Sequence, residues 1–195
     1  MKYTKLGNSD LTVSRICLGC MGFGDPQKGQ HSWTLDEERS REIIKRALEL
    51  GVNFFDTAIA YQSGTSEQFL GHALKDFTER KDVAIATKFL PRTPEEIAKG
   101  VSGQEHIQRM MDKSLENLGV DYVDLYIYHM WDYQTPLYDI MDGLNLSLIH
   151  ILMPKRENVR NEILNWFGRD ENHLHIIANY TLLSHSLLNQ KHYIG

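Results

Sequence analysis

Four residues of this chain, Asp56, Tyr61, Lys88 and His129, carry groups able to move a proton, and each closes or follows an apolar run. In FFDTAIAYQSGTSE (54–67) an aspartate stands directly behind two phenylalanines. An ionised carboxylate in such surroundings is costly unless a cation meets it, so Asp56 predicts a partner from elsewhere in the chain. IATKF (85–89) supplies an amine at Lys88, and LYIYHMW (125–131) supplies an imidazole at His129. A phenol, with a pKa of about 10, is a poor proton donor at neutral pH, but an ammonium beside it stabilises the phenolate, and a carboxylate keeps that ammonium charged and in place. Tyr61 is therefore the candidate general acid, a role worth on the order of 10² to 10⁴ in rate, while His129 can orient or polarise a carbonyl oxygen. Reduction of a carbonyl compound fits these parts. Taken singly, each residue has an ordinary structural use: a loop cap, a surface aromatic, a snorkelling strand end, a satisfied core histidine. Their joint placement at three successive strand ends is what points to a site.

The elements that must position them can be traced by period. VSRICLGCM (13–21) reads as a strand running into a Gly-rich loop, and LDEERSREIIKRALELG (35–51) as an amphipathic helix with an acidic first turn and Gly51 as its stop. VNFFDTA (52–58) is the next strand, and SEQFLGHALKDF (66–77) a helix with Ser66 as N-cap. VAIATKF (83–89), SGQEHIQRMMDKSLENLG (102–119), VDYVDLYIYHM (120–130) and PLYDIMDGLN (136–145) continue the alternation of strand and helix. Continuous apolar strands between amphipathic helices predict the α/β class with a parallel sheet. Gly19, Gly22 and Gly24 lack the G-x-G-x-x-G spacing of a doubly wound nucleotide binder. A (β/α)8 barrel, whose chemistry sits at the C-terminal ends of its strands, accommodates the repeated polar strand ends better.

Composition narrows the partners. A formal charge of -5 argues against nucleic acid, and 42% hydrophobic residues in 195 suffice for one core. No apolar run approaches the roughly 18 residues of a membrane span, and MKYTKLGNSD lacks the apolar stretch of a signal peptide, so a cytoplasmic protein without a membrane partner is expected. Cys17 and Cys20 form a C-x-x-C, but no second pair completes a zinc site and no helix opens at it, so neither a redox pair nor a zinc site is expected.

LGCMGFG, FFDTAIAYQSGTSE, ATKF and VDLYIYHMWD resemble, in order, segments of the aldo-keto reductases, over residues 2 to 145. The resemblance implies a (β/α)8 barrel, here about four βα units, with an N-terminal β-hairpin made of KYTKLG and LTVSRI. It implies an NADPH-dependent reduction of an aldehyde or ketone, with Asp56, Tyr61, Lys88 and His129 as the catalytic tetrad and Tyr61 as proton donor. It also implies that Met21, Gly22 and Asp56 lie against the cofactor and that Trp131 walls the substrate pocket.

From residue 146 the composition shifts toward Asn, His and Leu, which sets a boundary between 1–145 and an unrelated, helical or poorly ordered tail, 146–195. Two origins compete for that tail. It is either a natural pair of covering helices or a foreign junction, since CTG TCT CTT ATA CAC ATC encodes Leu146 to Ile151 and resembles the mosaic end of a transposase adapter. The family's later cofactor-binding strands find no counterpart here, so weak NADPH binding and a reductase activity impaired by that loss are expected. The alternative function is a half-barrel without catalysis, or an association module that forms a homo-oligomer through exposed sheet edges.

Overall fold

The computed structural model describes residues 1–133, 135, 136, 138–141, 143 and 144. Its chain opens with two short strands, β1 (Tyr3–Lys5) and β2 (Thr12–Ser14), paired antiparallel with Tyr3 opposite Ser14. The turn between them contains Gly7 at φ +58°, a left-handed position that suits glycine. This hairpin is fastened to the start of the next βα unit: the Tyr3 hydroxyl donates to the Gly51 carbonyl at 2.8 Å, and the Asn53 side chain accepts from Ser14 N at 2.6 Å and donates to the Thr12 carbonyl at 3.1 Å.

Four further strands, β3 (Leu18–Gly19), β4 (Phe54–Asp56), β5 (Ala84–Phe89) and β6 (Leu125–Tyr128), form one parallel sheet in sequence order. Helices connect them: α1 (Glu37–Glu49) between β3 and β4, α2 (Thr65–Phe77) between β4 and β5, and α3 (Pro94–Ala98) with α4 (Gly103–Leu118) between β5 and β6. The hydrophobic core lies between sheet and helices. Phe55 and Ile85 from the strands meet Ile44, Leu70, Leu74, Met111 and Leu118 from the helices. Phe89 and Tyr128 continue this layer toward Ile107 and Ile140. Because successive strand side chains alternate between faces, the residues between these core positions must point the other way. That second face carries Phe54 and Asp56 on β4, Ala84, Ala86 and Lys88 on β5, and Leu125 and Ile127 on β6, with His129 next in the same parity.

The boundaries depart from the sequence reading in instructive ways. The run at 13–21 splits, because Asn53 takes the Ser14 amide and Ser14 Oγ donates to the Ile16 carbonyl at 2.6 Å, leaving only Leu18–Gly19 to join the sheet. The run at 120–130 begins its ladder only at Leu125, since the Asp124 carboxylate accepts from Ile85 N at 2.8 Å and from Arg80 at 2.5 Å. Ser66 is not the N-cap of α2. Gly64, left-handed at φ +88°, precedes the helix, while Ser66 is fully buried and donates to the Cys20 carbonyl at 2.7 Å. Helix α3 went unpredicted, although Thr93 and Glu96 form a capping box around Pro94. Helical residues at 138–141 and 143–144 agree with the expected last helix, and the tail from 146 lies outside the described residues.

Candidate active site

The parallel register decides which side chains meet. Gly19 lies beside Asp56, Asp56 beside Ala86, and Lys88 beside Ile127, so the C-terminal ends of β4, β5 and β6 form one rim. Beyond the strands the ladder continues for one more step, with Cys20 N donating to Asp56 O (2.8 Å), Ile59 N to Lys88 O (3.1 Å) and His129 N to Phe89 O (2.9 Å). The loops that leave the rim therefore start from fixed positions.

Lys88 is the centre of the arrangement. Its side chain is nearly buried, and its ammonium has three protons and three acceptors: Asp56 Oδ1 at 2.6 Å, the Thr57 carbonyl at 2.8 Å and Tyr61 Oη at 3.2 Å. An ammonium this far from water needs a full set of partners, and it has one. Since Tyr61 Oη accepts from Lys88, the phenol's own proton must point elsewhere. Tyr61 opens a 3-10 turn, Tyr61–Gly64, that follows the rim directly, and its ring stands edge-on to that of His129 with centroids 5.6 Å apart at 80°.

His129 Nδ1 is buried and has no hydrogen-bond partner among the described residues. Burial, and next the charge of Lys88, hold its pKa below the ordinary imidazole value of 6.5, with Asp56 opposing. A neutral ring results at pH 7, bearing one N–H to offer a ligand oxygen. The four residues singled out in the sequence are thus brought together on one rim. Met21, 42% exposed, and Gly22 lie in the loop directly after Cys20, whose amide binds Asp56. A Cβ placed on Gly22 would meet only the Trp33 ring, at 3.9 Å, so a flat group has room against this backbone. Trp131 is half-buried, donates from Nε1 to the Thr135 carbonyl at 3.0 Å and packs its ring 4.7 Å from that of Tyr133.

Three contributors escaped the sequence reading. The Thr57 carbonyl is a backbone atom, which no side-chain pattern announces. Gln62, three residues before the start of α2, is 2% exposed. Glu67 is fully buried behind the rim, accepting from Thr87 Oγ1 at 2.6 Å and Asn117 Nδ2 at 2.8 Å, and burial raises its pKa above 4.5 despite these bonds. The only hint of the last was the pairing of Ser66 and Glu67 after the Asp-Thr-Ala run. Cys17 is exposed and Cys20 buried, both as free thiols.

Comparison with known proteins shows the family and the fold. The family profile described as "Aldo/keto reductase family" matches residues 15–147. Versiconal hemiacetal acetate reductase of Aspergillus parasiticus is 36% identical over 163 residues, which cover 74% of this chain and 47% of that protein. Aldo-keto reductase yakc [NADP(+)] of Schizosaccharomyces pombe is 34% identical over 142 residues, 72% of this chain and 40% of its own length. Among solved structures, aldo-keto reductase AKR11C1 from Bacillus halodurans in its holo form superposes with a TM-score of 0.64 at 32% identity, covering 85% of this chain and 54% of that one. The thermostable aldo-keto reductase Tm1743 in complex with epalrestat gives 0.66 at 26% identity, over 85% and 58%. These structures are (β/α)8 barrels, and the parallel sheet described above corresponds to a part of such a barrel, about four βα units. The chain spans about half the length of the relatives it matches.

Proposed function

The chain belongs to the aldo/keto reductase family, and we propose that it reduces an aldehyde or ketone to an alcohol with NADPH as the hydride source, Tyr61 being the proton donor. One observation carries this reading: Lys88 donates to Tyr61 Oη, so the phenol proton is free to be given to a third oxygen placed on the rim. NADPH supplies two electrons and a hydrogen as hydride when bound, and Met21, Gly22 and Asp56 are the residues proposed to hold its nicotinamide end. The chain's own groups do the rest. The neutral His129 ring donates a hydrogen bond to the carbonyl oxygen, withdrawing charge from the carbon. Tyr61 passes its proton to that oxygen as charge builds there, and the ammonium of Lys88 stabilises the phenolate left behind. Asp56 keeps the ammonium in place and offsets its charge. Trp131 is proposed as a wall of the substrate pocket.

The name of one relative, aryl-alcohol dehydrogenase, favours an aromatic substrate. No helix among the described residues is long and apolar enough to cross a membrane, and the reading places the reaction in the cytoplasm. Residues 1–145 are proposed as the barrel portion and 146–195 as a separate tail. The test is carbonyl-dependent oxidation of NADPH by the purified chain over a panel of aryl aldehydes and ketones. Tyr61→Phe removes the proton and loses turnover by a factor of about 10² or more. Turnover unchanged in that variant would overturn the assignment of Tyr61. A second reading, a half-barrel that associates without catalysis, is favoured by the sheet having two end strands, β3 and β6, each paired on one side among the described residues.

A further inference from the structure

Gln62 follows the candidate proton donor by one residue and has a conformation its side chain alone does not favour. Its backbone is left-handed, φ +48°, and Ser63 beside it is left-handed as well, φ +55°. For residues other than glycine this is uncommon and uphill, so something must hold the turn there. The side-chain amide of Gln62 provides the hold. It is 2% exposed and lies inside the long loop between β3 and α1. Its Oε1 accepts from the backbone amides of Gln30 (3.1 Å) and His31 (2.9 Å). Its Nε2 donates among the carbonyls of Lys28 (2.5 Å), His31 (2.8 Å) and Asp25 (2.9 Å), with Thr34 Oγ1 at 3.2 Å. The reversed amide would set an oxygen against three carbonyls and an NH2 against two N–H groups, so the network fixes its orientation.

The loop is moulded around this side chain. A Cβ on Gly24 would fall 2.6 Å from Gln62 Cβ, and one on Gly29 2.6 Å from Gln62 Cα, both glycines having positive φ. Thr65 adds a second tie, accepting from Asp25 N at 2.9 Å and donating to the Gln62 carbonyl at 2.8 Å. The same loop presents Trp33, 59% exposed, next to Gly22, where Leu35 N donates to the Gly22 carbonyl at 2.8 Å. One buried amide thus joins the turn that carries Tyr61 to the loop that walls the rim beside Gly22.

We infer that Gln62 is a positioning residue, whose buried amide locks the 25–34 loop and the Tyr61 turn into one register. The inference rests on Tyr61 being the proton donor. Gln62 does not touch the reacting atoms itself. It acts by holding the backbone from which the phenol reaches Lys88, and by keeping the Trp33 wall closed against Gly22.

Two substitutions attack the clamp from opposite sides. Gln62→Gly accepts the left-handed backbone and deletes only the amide, which separates clamping from strain. Gly29→Ala leaves Gln62 and its turn intact and pushes the loop off. Amide exchange in the full chain should become about tenfold faster or more across 25–34 in both variants, with α2 still protected. The His129 ring resonance, set in part by the edge-on Tyr61 ring, should move toward that of free histidine. Turnover, read separately, should lose about tenfold in kcat in Gln62→Gly and nothing further when Tyr61→Phe is already present. A loop that stays protected overturns the clamp. A loosened loop with an unmoved His129 resonance overturns the positioning of Tyr61, and loss of α2 protection in both variants reduces Gln62 to a folding role and equally overturns it. A wild-type chain that oxidises no NADPH, while the two variants still show both signatures, would sink the reductase reading and leave the clamp standing.

Discussion

Lys88 uses every proton of its ammonium inside the site, which makes its partners unequal in what their loss would do. Removing the Tyr61 hydroxyl takes away an acceptor at 3.2 Å, but removing the Asp56 charge leaves a nearly buried ammonium without its carboxylate. We expect Asp56→Asn to lower stability by on the order of 3 kcal/mol, and Tyr61→Phe by much less. Chemical denaturation of the two variants checks the order, and equal losses would mean that the ion pair is not what holds Lys88. Glu67, immediately behind the rim, gives a prediction in pH. Burial keeps its folded pKa above 4.5, with Asn117 and Thr87 opposing by hydrogen bonds and Lys113 by its charge, so the native chain binds this proton more readily than the unfolded one. The contribution to stability is then full below about pH 4.5 and falls as pH rises through the folded value. Glu67→Gln cannot titrate and should therefore gain on the wild type as pH rises from 4.5 toward neutrality. Stability curves that run parallel across that window would show that Glu67 is ionised at no cost.

At the scale of elements, the two helices that flank β5 approach each other through a glycine. A Cβ on Gly71 of α2 would sit 2.1 Å from the Leu118 carbonyl oxygen at the end of α4, against backbone that cannot swing away. Gly71→Ala should cost about 2 kcal/mol or more. Ser102→Ala, which removes only the exposed N-cap bond that Glu105 N donates to Ser102 Oγ at the start of α4, should cost about 1 kcal/mol, and a thermal melt showing the reverse order would disprove the close contact. Neither glycine contacts nor register announce themselves in a sequence, whereas periodicity does. The helices α1, α2 and α4 and strand β5 were legible because their apolar spacing, and for α1 and α4 a Gly stop, acts locally, whereas the hairpin was expected only from the family resemblance. Strands β3 and β6 came out shorter than their apolar runs because the side chains of Asn53 and Asp124, distant in sequence, take the amides that would have extended or begun a ladder. The convergence of Asp56, Lys88 and His129 was readable from strand ends and alternation, both properties of the chain. The role of Gln62 was not, since its partners lie 28 to 37 residues earlier in a loop without period.

At the scale of the whole molecule, the two end strands of the sheet govern how the chain behaves in solution. Strand β6, LYIY, is apolar and aromatic and pairs with β5 on one side, and β3 pairs with β4 on one side, among the described residues. An end strand of this composition, without charge or proline, offers unpaired N–H and C=O groups as a template for another chain. The face that carries Lys88 and Asp56 continues across β6 through Leu125 and Ile127, so pairing there would bury apolar surface as well as satisfy backbone groups. The chain of 195 residues, purified by itself, should therefore associate as its concentration rises from about 1 to about 100 μM, and light scattering after size exclusion would register masses above 22.6 kDa. Such association need not abolish the site, because Asp56, Tyr61 and Lys88 are bound to one another within a single chain through β4, β5 and the turn between β4 and α2. A monodisperse monomer over that range would show that the ends of the sheet are already covered within the chain, and would remove the observation that favours an association module over a reductase.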